Sequence, residues 1–278
     1  MKKILVADDD RGIRNLLREV LRKAGYSVAT TSDGAAALER LHKQKFDLLL
    51  LDVWMPKKTG LEILAALREN KSRLKVIVMT GDDAPETLLQ AVREQAFHYI
   101  RKPFEVAAIL QMVRDSLARK GVIPRIEIIS AKPAWVELLV PCTIEAAERI
   151  EGFMSQLKAD LAPEARELVG QAFHELLLNA VEWGGKLNPR RKVRIAFLRM
   201  RRMLLYRIAD PGQGFRFEDL THAAVNYSPD APTEHDEVRK EKGIRPGGFG
   251  LLITQTNADE LIYNEKQNEV VFVKYLEA

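Results

Sequence analysis

The sequence predicts an α/β protein of two domains: a doubly wound parallel sheet of five strands, followed by an α/β sandwich with a mixed, largely antiparallel sheet. Over residues 1–120, five short apolar runs alternate with segments of helical period, the order that produces a parallel sheet covered on both faces. From residue 134 the order changes to a strand, two helices and adjacent alternating strands, which favours helices on one face of an antiparallel sheet. A length of 278 residues suits two domains.

The first domain is predicted over residues 1–120. Its apolar runs are the expected strands, at residues 3–7, 27–30, 47–52, 75–80 and 98–101. The intervening stretches, such as 11–24 and 85–95, carry apolar residues at helical spacing, so a helix is expected after each strand. Residues 121–133 contain two prolines and little periodicity, which indicates a linker.

The second domain is predicted over residues 134–278. A strand at 135–140 precedes two helices, at 144–157 and 163–183. The alternating runs 192–199 and 204–209 are close in sequence, which predicts a hairpin. A helix at 251–257 and strands at 259–264 and 269–275 follow.

Composition excludes several classes of protein. The single cysteine, Cys142, rules out an internal disulfide framework and a multi-cysteine zinc site. The longest apolar runs are too short to span a bilayer, and acidic residues follow the first strand at once, so we expect a cytoplasmic protein without a signal peptide or membrane segment. The net charge of +4 is not massed on one segment, so direct DNA binding is not expected.

Charged and hydroxyl side chains stand at four predicted strand ends of the first domain. Asp8 and Asp9 follow the first strand, Asp52 ends the third, Thr80 ends the fourth and Lys102 follows the fifth. Ligands of a doubly wound sheet bind at the carboxyl ends of its strands. Crowded carboxylates repel one another unless a hard cation such as Mg²⁺ joins them. A carboxylate nucleophile, a metal site, a hydroxyl and a cation indicate phosphoryl transfer onto Asp52.

Residues 1–120 resemble the receiver domains of response regulators. Four stretches carry the resemblance in the order of the family: ILVADDD, LLLLDVWMPKKTG, VIVMTGDD and FHYIRKPF. The resemblance implies a flavodoxin-like fold, phosphorylation by a cognate sensor histidine kinase and a cis peptide bond at Lys102-Pro103.

The resemblance also implies a role for each matching residue. Asp52 is the expected phosphate acceptor, and Lys102 the partner of the phosphoryl group. Thr80 and Tyr99 form the expected switch pair. The expected Mg²⁺ ligands are the side chains of Asp8, Asp9 and Asp52 and the main-chain carbonyl of Trp54.

In the second domain, Glu175 and Asn179 are four residues apart in the helical segment AFHELLLNAVEWGG, so both lie on one face. A carboxylate that accepts a proton beside an amide that ligates Mg²⁺ is suited to moving a γ-phosphate. A solvated glutamate and an asparagine at a helix end explain this segment equally well. A zinc HExxH motif is excluded because position 178 is Leu178.

Two glycine-containing segments favour a nucleotide site. Asp210 and the nearby Gly212 and Gly214 follow a predicted strand. Residues 243–251, which include Gly247, Gly248 and Gly250, run into a helix whose free N–H groups suit a phosphate. Neither segment matches the P-loop or the Rossmann motif.

The three segments together resemble the ATP-binding domain of GHKL ATPases, with its Bergerat-type sandwich, over about residues 134–278. The resemblance implies ATP and Mg²⁺ as cofactors, with Asn179 on the metal and Asp210 on the adenine amino group. Gly212 and Gly214 would shape the base pocket. Gly247, Gly248 and Gly250 would line the phosphates, and residues 221–242 would form a lid.

Within that superfamily, Glu175 stands where anti-sigma-factor serine kinases and the MutL and gyrase type carry glutamate and sensor histidine kinases usually carry asparagine, and the small size and layout of the domain favour the anti-sigma branch. No helical hairpin with a phospho-accepting histidine separates the two halves. Glu182 and Trp183 depart from the basic residue and histidine that are frequent in the anti-sigma branch.

The sequence therefore predicts a response regulator, phosphorylated on Asp52, that controls an ATP-binding serine/threonine kinase module of the anti-sigma type with Glu175 as general base. The expected output partner is an anti-sigma-factor antagonist or a sigma factor. The alternatives are an ATP-dependent sequestering module without turnover and a histidine-kinase-like fragment. A DNA-binding regulator ranks below these because no helix-turn-helix stays unassigned.

Overall fold

The computed structural model describes residues 1–82, 84–118, 125–132, 134–158, 161–216, 218 and 249–276. The chain divides into two units, Met1–Ile123 and Pro124–Ala278. Among the described residues, no helix has the length and apolar character needed to cross a membrane.

Five parallel strands in the order β2-β1-β3-β4-β5 form the sheet of the first unit. The strands are β1 (Lys3–Ala7), β2 (Ser27–Thr31), β3 (Leu48–Asp52), β4 (Lys75–Thr80) and β5 (His98–Arg101). They alternate with α1 (Arg11–Lys23), α2 (Gly34–Lys43), α3 (Gly60–Glu69), α4 (Pro85–Arg93) and α5 (Val106–Ala118). This doubly wound topology confirms the predicted fold, and strand order reverses between β1 and β3, where ligands bind in such sheets.

Local sequence explains why these elements form where they do. Every residue of β3 is buried, as expected for a strand covered on both faces. Asp10 caps α1 by accepting a hydrogen bond from the Ile13 amide, and Thr59 opens α3 in a capping box with Glu62. Apolar side chains from the sheet, α1 and α5 form a core on one face of the sheet.

Six strands in the order β10-β11-β9-β8-β7-β6 form the sheet of the second unit. The strands are β6 (Glu127–Lys132), β7 (Trp135–Pro141), β8 (Lys192–Met200), β9 (Met203–Ala209), β10 (Glu260–Tyr263) and β11 (Glu269–Tyr275). All five neighbouring pairs are antiparallel, so the parallel pairing that a mixed sheet requires does not occur among the described strands. The helices are α6 (Ile144–Gln156), α7 (Pro163–Asn179) and α8 (Gly250–Asn257), and a π-helical turn, Ala180–Gly184, continues α7.

Strand β6 corrects the prediction of a linker over residues 121–133. Glu127–Lys132 pairs antiparallel with β7 and forms one edge of the sheet. The periodicity was weak because the pairing shifts register between Ile128 and Ser130, which interrupts the alternation of apolar and polar residues.

Aromatic side chains hold α7 against the second sheet. Tyr206 of β9 lies between Phe197 of β8 and Phe272 of β11 in the strand register. The ring of Phe173 on α7 lies 4.6 Å from the Tyr206 ring, centroid to centroid. All four side chains are buried, so this cluster packs α7 against the middle of β9.

Candidate functional sites

Three carboxylates meet at the carboxyl ends of β1 and β3. One oxygen each from Asp8, Asp9 and Asp52 lies within 4.8 Å of the other two. Asp8 and Asp52 are buried, whereas Asp9 is exposed. Hard divalent cations prefer oxygen ligands, so this donor set fits Mg²⁺.

Lys102, which follows β5, places its ammonium group between two of these carboxylates. Its Nζ lies 2.7 Å from Asp8 Oδ2 and donates to Asp52 Oδ1 at 2.9 Å. Burial raises the pKa of Asp52 to about 6; Lys102 opposes this rise, and the charges of Asp8 and Asp9 add to it. Burial alone would lower the pKa of Lys102, but its bonds to Asp8 and Asp52 outweigh burial and raise it. The lysine therefore stays charged.

The predicted switch pair lies next to this cluster. Thr80 ends β4, and its Oγ1 accepts a hydrogen bond of 3.0 Å from the Asp82 amide. Tyr99 lies opposite Val78 in the register of β4 and β5, so Thr80 and Tyr99 share a face of the sheet. Both side chains are buried. The Lys102 amide donates to the Thr80 carbonyl at 2.7 Å, and the peptide bond Lys102-Pro103 is cis, as the resemblance implied.

The loop after β3 contributes two features that the sequence analysis did not use. A Cβ added to Gly60 would lie 2.2 Å from the Asp52 carbonyl oxygen, so only glycine lets α3 begin this close to Asp52. The Trp54 side chain is 56% exposed, and it donates a hydrogen bond to the Asp82 carboxylate. Neither Gly60 nor Asp82 belongs to the predicted residue set.

In the second unit, α7 carries Glu175 and Asn179 one turn apart, both half-buried. A Cβ added to Gly250 would lie 2.2 Å from Glu175 Oε2, so the beginning of α8 lies against this carboxylate. Gly250 is among the described residues. The other predicted elements of this site, Gly247, Gly248 and the lid 221–242, lie outside them.

Asp210 follows β9 and lies against the π-helical turn. A Cβ added to Gly184 would lie 2.1 Å from Asp210 Oδ1, and the Gly212 amide donates to the same oxygen at 2.7 Å. Burial raises the pKa of Asp210, although the Gly212 bond opposes that rise. One carboxylate oxygen is therefore fixed by the turn that contains Gly212.

Asn268, the residue before β11, holds this turn in place by hydrogen bonds. The side-chain Nδ2 of Asn268 donates to the Gly212 carbonyl at 3.1 Å, and the main-chain carbonyl of Asn268 accepts a hydrogen bond from the Asp210 amide at 2.9 Å. Gly214 has a φ of +83°, and a Cβ there would lie 1.5 Å from the Lys266 carbonyl oxygen. Only glycine fits that close approach. The structure thus brings Asp210, Gly212 and Gly214 together in the turn after β9, which is packed against Gly184, Lys266 and Asn268.

Glu182 and Trp183, the two departures noted in the sequence, lie in the π-helical turn just before Gly184. The Trp183 side chain is 54% exposed. Cys142 lies against Gly185, the residue after this turn, since a Cβ added to Gly185 would lie 2.3 Å from the Cys142 Sγ. Burial raises the pKa of this thiol to about 11, so it stays protonated.

Comparison with known families decides what these two units are. Residues 4–114 match the response regulator receiver domain, and residues 140–274 match the histidine kinase-like ATPase domain. The chain joins a receiver domain to a histidine kinase-like ATPase domain. The first domain contains the carboxylate cluster, and the second contains the turn around Asp210.

The relatives of the receiver domain are response regulators. Response regulator MprA of Mycobacterium leprae is 38% identical over 117 residues, which is 42% of this chain and 51% of MprA. The alkaline phosphatase synthesis transcriptional regulatory protein PhoP of Bacillus subtilis is 29% identical over 168 residues, 60% of this chain and 70% of PhoP. The chain therefore spans about half of the length of MprA.

Two solved structures are also similar to part of this chain. Response regulator protein TrrA of Thermotoga maritima, in complex with Mg²⁺-BeF, is 34% identical, and the match covers 42% of this chain and all of TrrA, with a TM-score of 0.39. Chemotaxis protein CheY4 of Vibrio cholerae is 32% identical, with a TM-score of 0.40, over 42% of this chain and 99% of CheY4.

Proposed function

We propose that this protein is a two-component response regulator that receives a phosphoryl group on Asp52 and uses its ATPase domain as an ATP-binding output. The observation that carries the proposal is the position of Lys102, whose ammonium group contacts both Asp8 and Asp52 within a cluster of three carboxylates. A half-buried cation beside a buried nucleophile is suited to a group that brings negative charge with it.

The reaction at Asp52 is a transfer between nucleophiles. A carboxylate oxygen of Asp52 attacks the phosphorus of a phosphohistidine on the sensor kinase, and the new P–O bond forms as the P–N bond breaks. The imidazole keeps the electron pair of the broken bond and takes up a proton. Asp8, Asp9, Asp52 and the Trp54 carbonyl would hold Mg²⁺, which neutralises charge on the transferred oxygens when it is bound.

Two residues of the receiver domain bind the negatively charged phosphoryl group once it is on Asp52. Lys102 exchanges its contact with the Asp52 oxygen for a contact with the phosphoryl group, and the Thr80 hydroxyl is the donor at the end of the next strand. A phosphoryl group adds about 1.5 to 2 negative charges. This charge shifts an equilibrium of the receiver surface in which Thr80 and Tyr99 move together.

The test is labelling of the full chain with acetyl phosphate and Mg²⁺, read by intact mass. We expect one added phosphoryl group in the wild type and none in Asp52→Asn. The matched control is Asp115→Asn, which removes a half-buried carboxylate of α5 in the same domain. Equal labelling of Asp52→Asn would overturn the assignment of the acceptor.

For the ATPase domain we propose ATP and Mg²⁺ as ligands. Asp210 would accept from the adenine amino group, Gly212 and Gly214 would shape the pocket for the base, and Asn179 would ligate the metal. Gly250 and the N-terminus of α8 would face the phosphates, with Gly247 and Gly248 as further candidates. The hydrogen bonds of Asn268 to the main chain of the turn after β9 support this arrangement, because they hold Gly212, whose amide bonds the Asp210 carboxylate, in place before adenine binds.

The activity that we propose is that of a serine/threonine kinase of the anti-sigma type. Glu175 takes the proton of a partner's hydroxyl as its oxygen attacks the γ-phosphorus, and the bond from that phosphorus to the β-phosphate oxygen breaks to release ADP. The contact of Glu175 with the beginning of α8 supports this role, since it places the base near the proposed phosphate site. The partner is an antagonist of an anti-sigma factor.

The second candidate is an ATP-dependent clamp that sequesters a partner, such as a sigma factor, without turnover. Glu182 and Trp183 favour it, because an acid and an exposed indole occupy the turn between Asn179 and Gly184. The negative charge of Glu182 repels the phosphates of ATP. It therefore weakens transfer of the γ-phosphate more than it weakens binding of adenine.

One experiment separates these functions. Full-length protein is given Mg²⁺-ATP, binding is measured by calorimetry, and transfer of the γ-phosphate to proteins of a cell extract is followed. We expect Asn179→Ala to lose binding, and Glu175→Gln to bind but not to transfer; Glu167→Gln, on the same helix, is the matched control. Binding without transfer by the wild type would favour the clamp, and absence of binding would overturn both candidates.

A further inference from the structure

An open polar pocket of about 360 Å³, called the cavity below, lies on the surface between α1, the end of β2 and α2 in the receiver domain. Its polar lining consists of three guanidinium groups and three hydroxyl groups, from Arg14, Arg18, Arg40, Thr30, Thr31 and Ser32. No carboxylate side chain is part of this lining. Because β2 and β3 flank β1 on opposite sides, the cavity lies on the other side of β1 from Asp52.

The two arginines of α1 are held in place by the domain. Arg14 Nη1 donates to the main-chain carbonyls of Asp8 at 2.8 Å and Asp9 at 2.7 Å. Arg18 Nη2 donates to Thr30 Oγ1 at 2.7 Å. Each guanidinium group thus commits one nitrogen to the protein, and both side chains are half-buried. Fixed guanidinium groups lose little conformational entropy when they bind an anion.

The charge around the cavity favours an anion. Arg14 and Arg18 are four residues apart on one face of α1, where like charges are destabilising. Asp33, the carboxylate at the beginning of α2, has both oxygens engaged: Oδ1 accepts from the Ala36 amide at 2.8 Å and Oδ2 from Lys57 Nζ at 3.1 Å. Its charge is therefore compensated away from the arginines.

We propose that this cavity binds a small phosphate-bearing anion, from pyrophosphate up to the size of a nucleoside phosphate. Guanidinium groups bind phosphate oxygens through paired N–H donors, and hydroxyl groups supply further donors. The volume falls within the range of small-molecule pockets. The site is separate from the acceptor Asp52 and does not depend on the proposed phosphorylation.

The test is a titration of the full chain with inorganic pyrophosphate in the absence of Mg²⁺, followed by NMR. We expect saturable shifts of the Thr30, Thr31, Ser32 and Ala36 amides and of the arginine Nε–H signals. The affinity should fall as salt is added, because a charged ligand is screened. Residue-resolved signals separate this cavity from the ATPase domain.

Variants decide whether the cavity is responsible. Loss of one charge-assisted pair in Arg18→Gln should weaken binding about tenfold, and Arg18→Gln with Arg40→Gln further still. Arg22→Gln, on the exposed end of the same helix, should bind as the wild type does. Equal affinity of Arg18→Gln and the wild type, equal shifts with acetate, or shifts confined to the ATPase domain would overturn the proposal.

Discussion

Lys158 is a buried charge in the ATPase domain, with only 2% of its surface exposed. Its Nζ lies 5.7 Å from the ring centroid of Phe173 and 5.8 Å from that of Tyr206. Burial lowers its pKa to about 8, and the charge of Glu151 opposes this change. The aromatic rings recover part of the cost of burying the ammonium group.

We predict that Lys158→Met stabilises the ATPase domain at pH 7. The difference between a pKa of 10.5 in the unfolded chain and about 8 in the folded chain corresponds to a cost of about 3 kcal/mol. Lost contacts with the two rings offset about 1 to 2 kcal/mol of that gain. The measurement is the free energy of unfolding in urea, with the NMR signals of the α7 amides used to monitor unfolding of the ATPase domain.

The pH dependence gives the sign of the effect. Below pH 8 the lysine is protonated in the folded and unfolded chain, so the full cost applies. Between about 8 and 10.5 the folded chain releases this proton first, so the wild type gains stability and the advantage of the methionine variant shrinks. Lys158→Arg, whose charge persists, should lack this gain. A methionine variant no more stable than the wild type at pH 7 would contradict the prediction.

Asn268 carries a second prediction at the scale of one residue. We expect Asn268→Ala to weaken binding of Mg²⁺-ATP about tenfold, since the variant loses the hydrogen bond from Nδ2 to the Gly212 carbonyl that holds the turn after β9, at a cost of about 1 to 2 kcal/mol. Calorimetry on the full chain measures this change. Glu265→Ala, in the same turn between β10 and β11, is the control and should bind normally. Unchanged affinity of Asn268→Ala for Mg²⁺-ATP would show that the hydrogen bond of the Asn268 side chain does not position the site.

Helix α7 and its π-helical extension form the element on which the proposed ATP site depends. A π-helical turn adds a residue relative to an α-helix, so Gly184 reaches Asp210 while Asn179 keeps its place one turn after Glu175. Such turns are frequent at functional sites. The close approach of Gly184 to the carboxylate makes this element sensitive to a single methyl group.

We predict that Gly184→Ala abolishes ATP binding, because its Cβ would lie 2.1 Å from Asp210 Oδ1 and displace that carboxylate. Gly170→Ala is the matched control on α7: the nearest atom to its Cβ is Lys158 Nζ at 3.9 Å. It should bind ATP and gain about 1 kcal/mol of helix stability. Labelling of Asp52 should persist in both variants, and ATP binding by Gly184→Ala would refute the prediction.

Elements with a strong period were predictable from sequence, and those defined by a local irregularity were not. Strands β1, β4, β5 and β11 have the predicted bounds because apolar runs and turn residues delimit them. The π-helical turn was predicted as plain helix, since the apolar spacing of Ala180 and Val181 continues that of α7. Likewise Asn268 has no motif around it, and its role arises only because β11 pairs with β9.

The carboxylate cluster was predictable for a different reason. Strand order places the ends of β1 and β3 side by side, so Asp8 and Asp52 had to meet once the doubly wound order was established. The arginine cavity was not predictable in the same way. Arg14, Arg18 and Arg40 come from two helices, and only the packing of α1 and α2 around β2 brings them together.

At the scale of the whole molecule, the proposed function requires that the two domains influence each other. We predict that beryllofluoride, which mimics the phosphoryl group on Asp52, changes the affinity for Mg²⁺-ATP about fivefold or more. Linkage requires that ATP change the affinity for beryllofluoride by the same factor. Calorimetric titrations in both orders measure the two factors.

Asp52→Asn is the control for this coupling, since it removes the acceptor while Lys102 keeps its contact with Asp8. In that variant beryllofluoride should leave the affinity for ATP unchanged. Equal affinity in the wild type with and without beryllofluoride would refute direct coupling, and a third protein would then have to connect the two domains.

The exposed indoles of Trp54 and Trp183 give this chain its own optical probes. The chain has three tryptophans, and one stands two residues after Asp52 while another stands four residues after Asn179. Both indoles are more than half exposed, so their emission responds to charge and solvent in their surroundings. With Trp135 also replaced, exchanging either indole for phenylalanine leaves one tryptophan beside a single site, so events at the receiver and at the proposed nucleotide site can be timed separately without any attached dye.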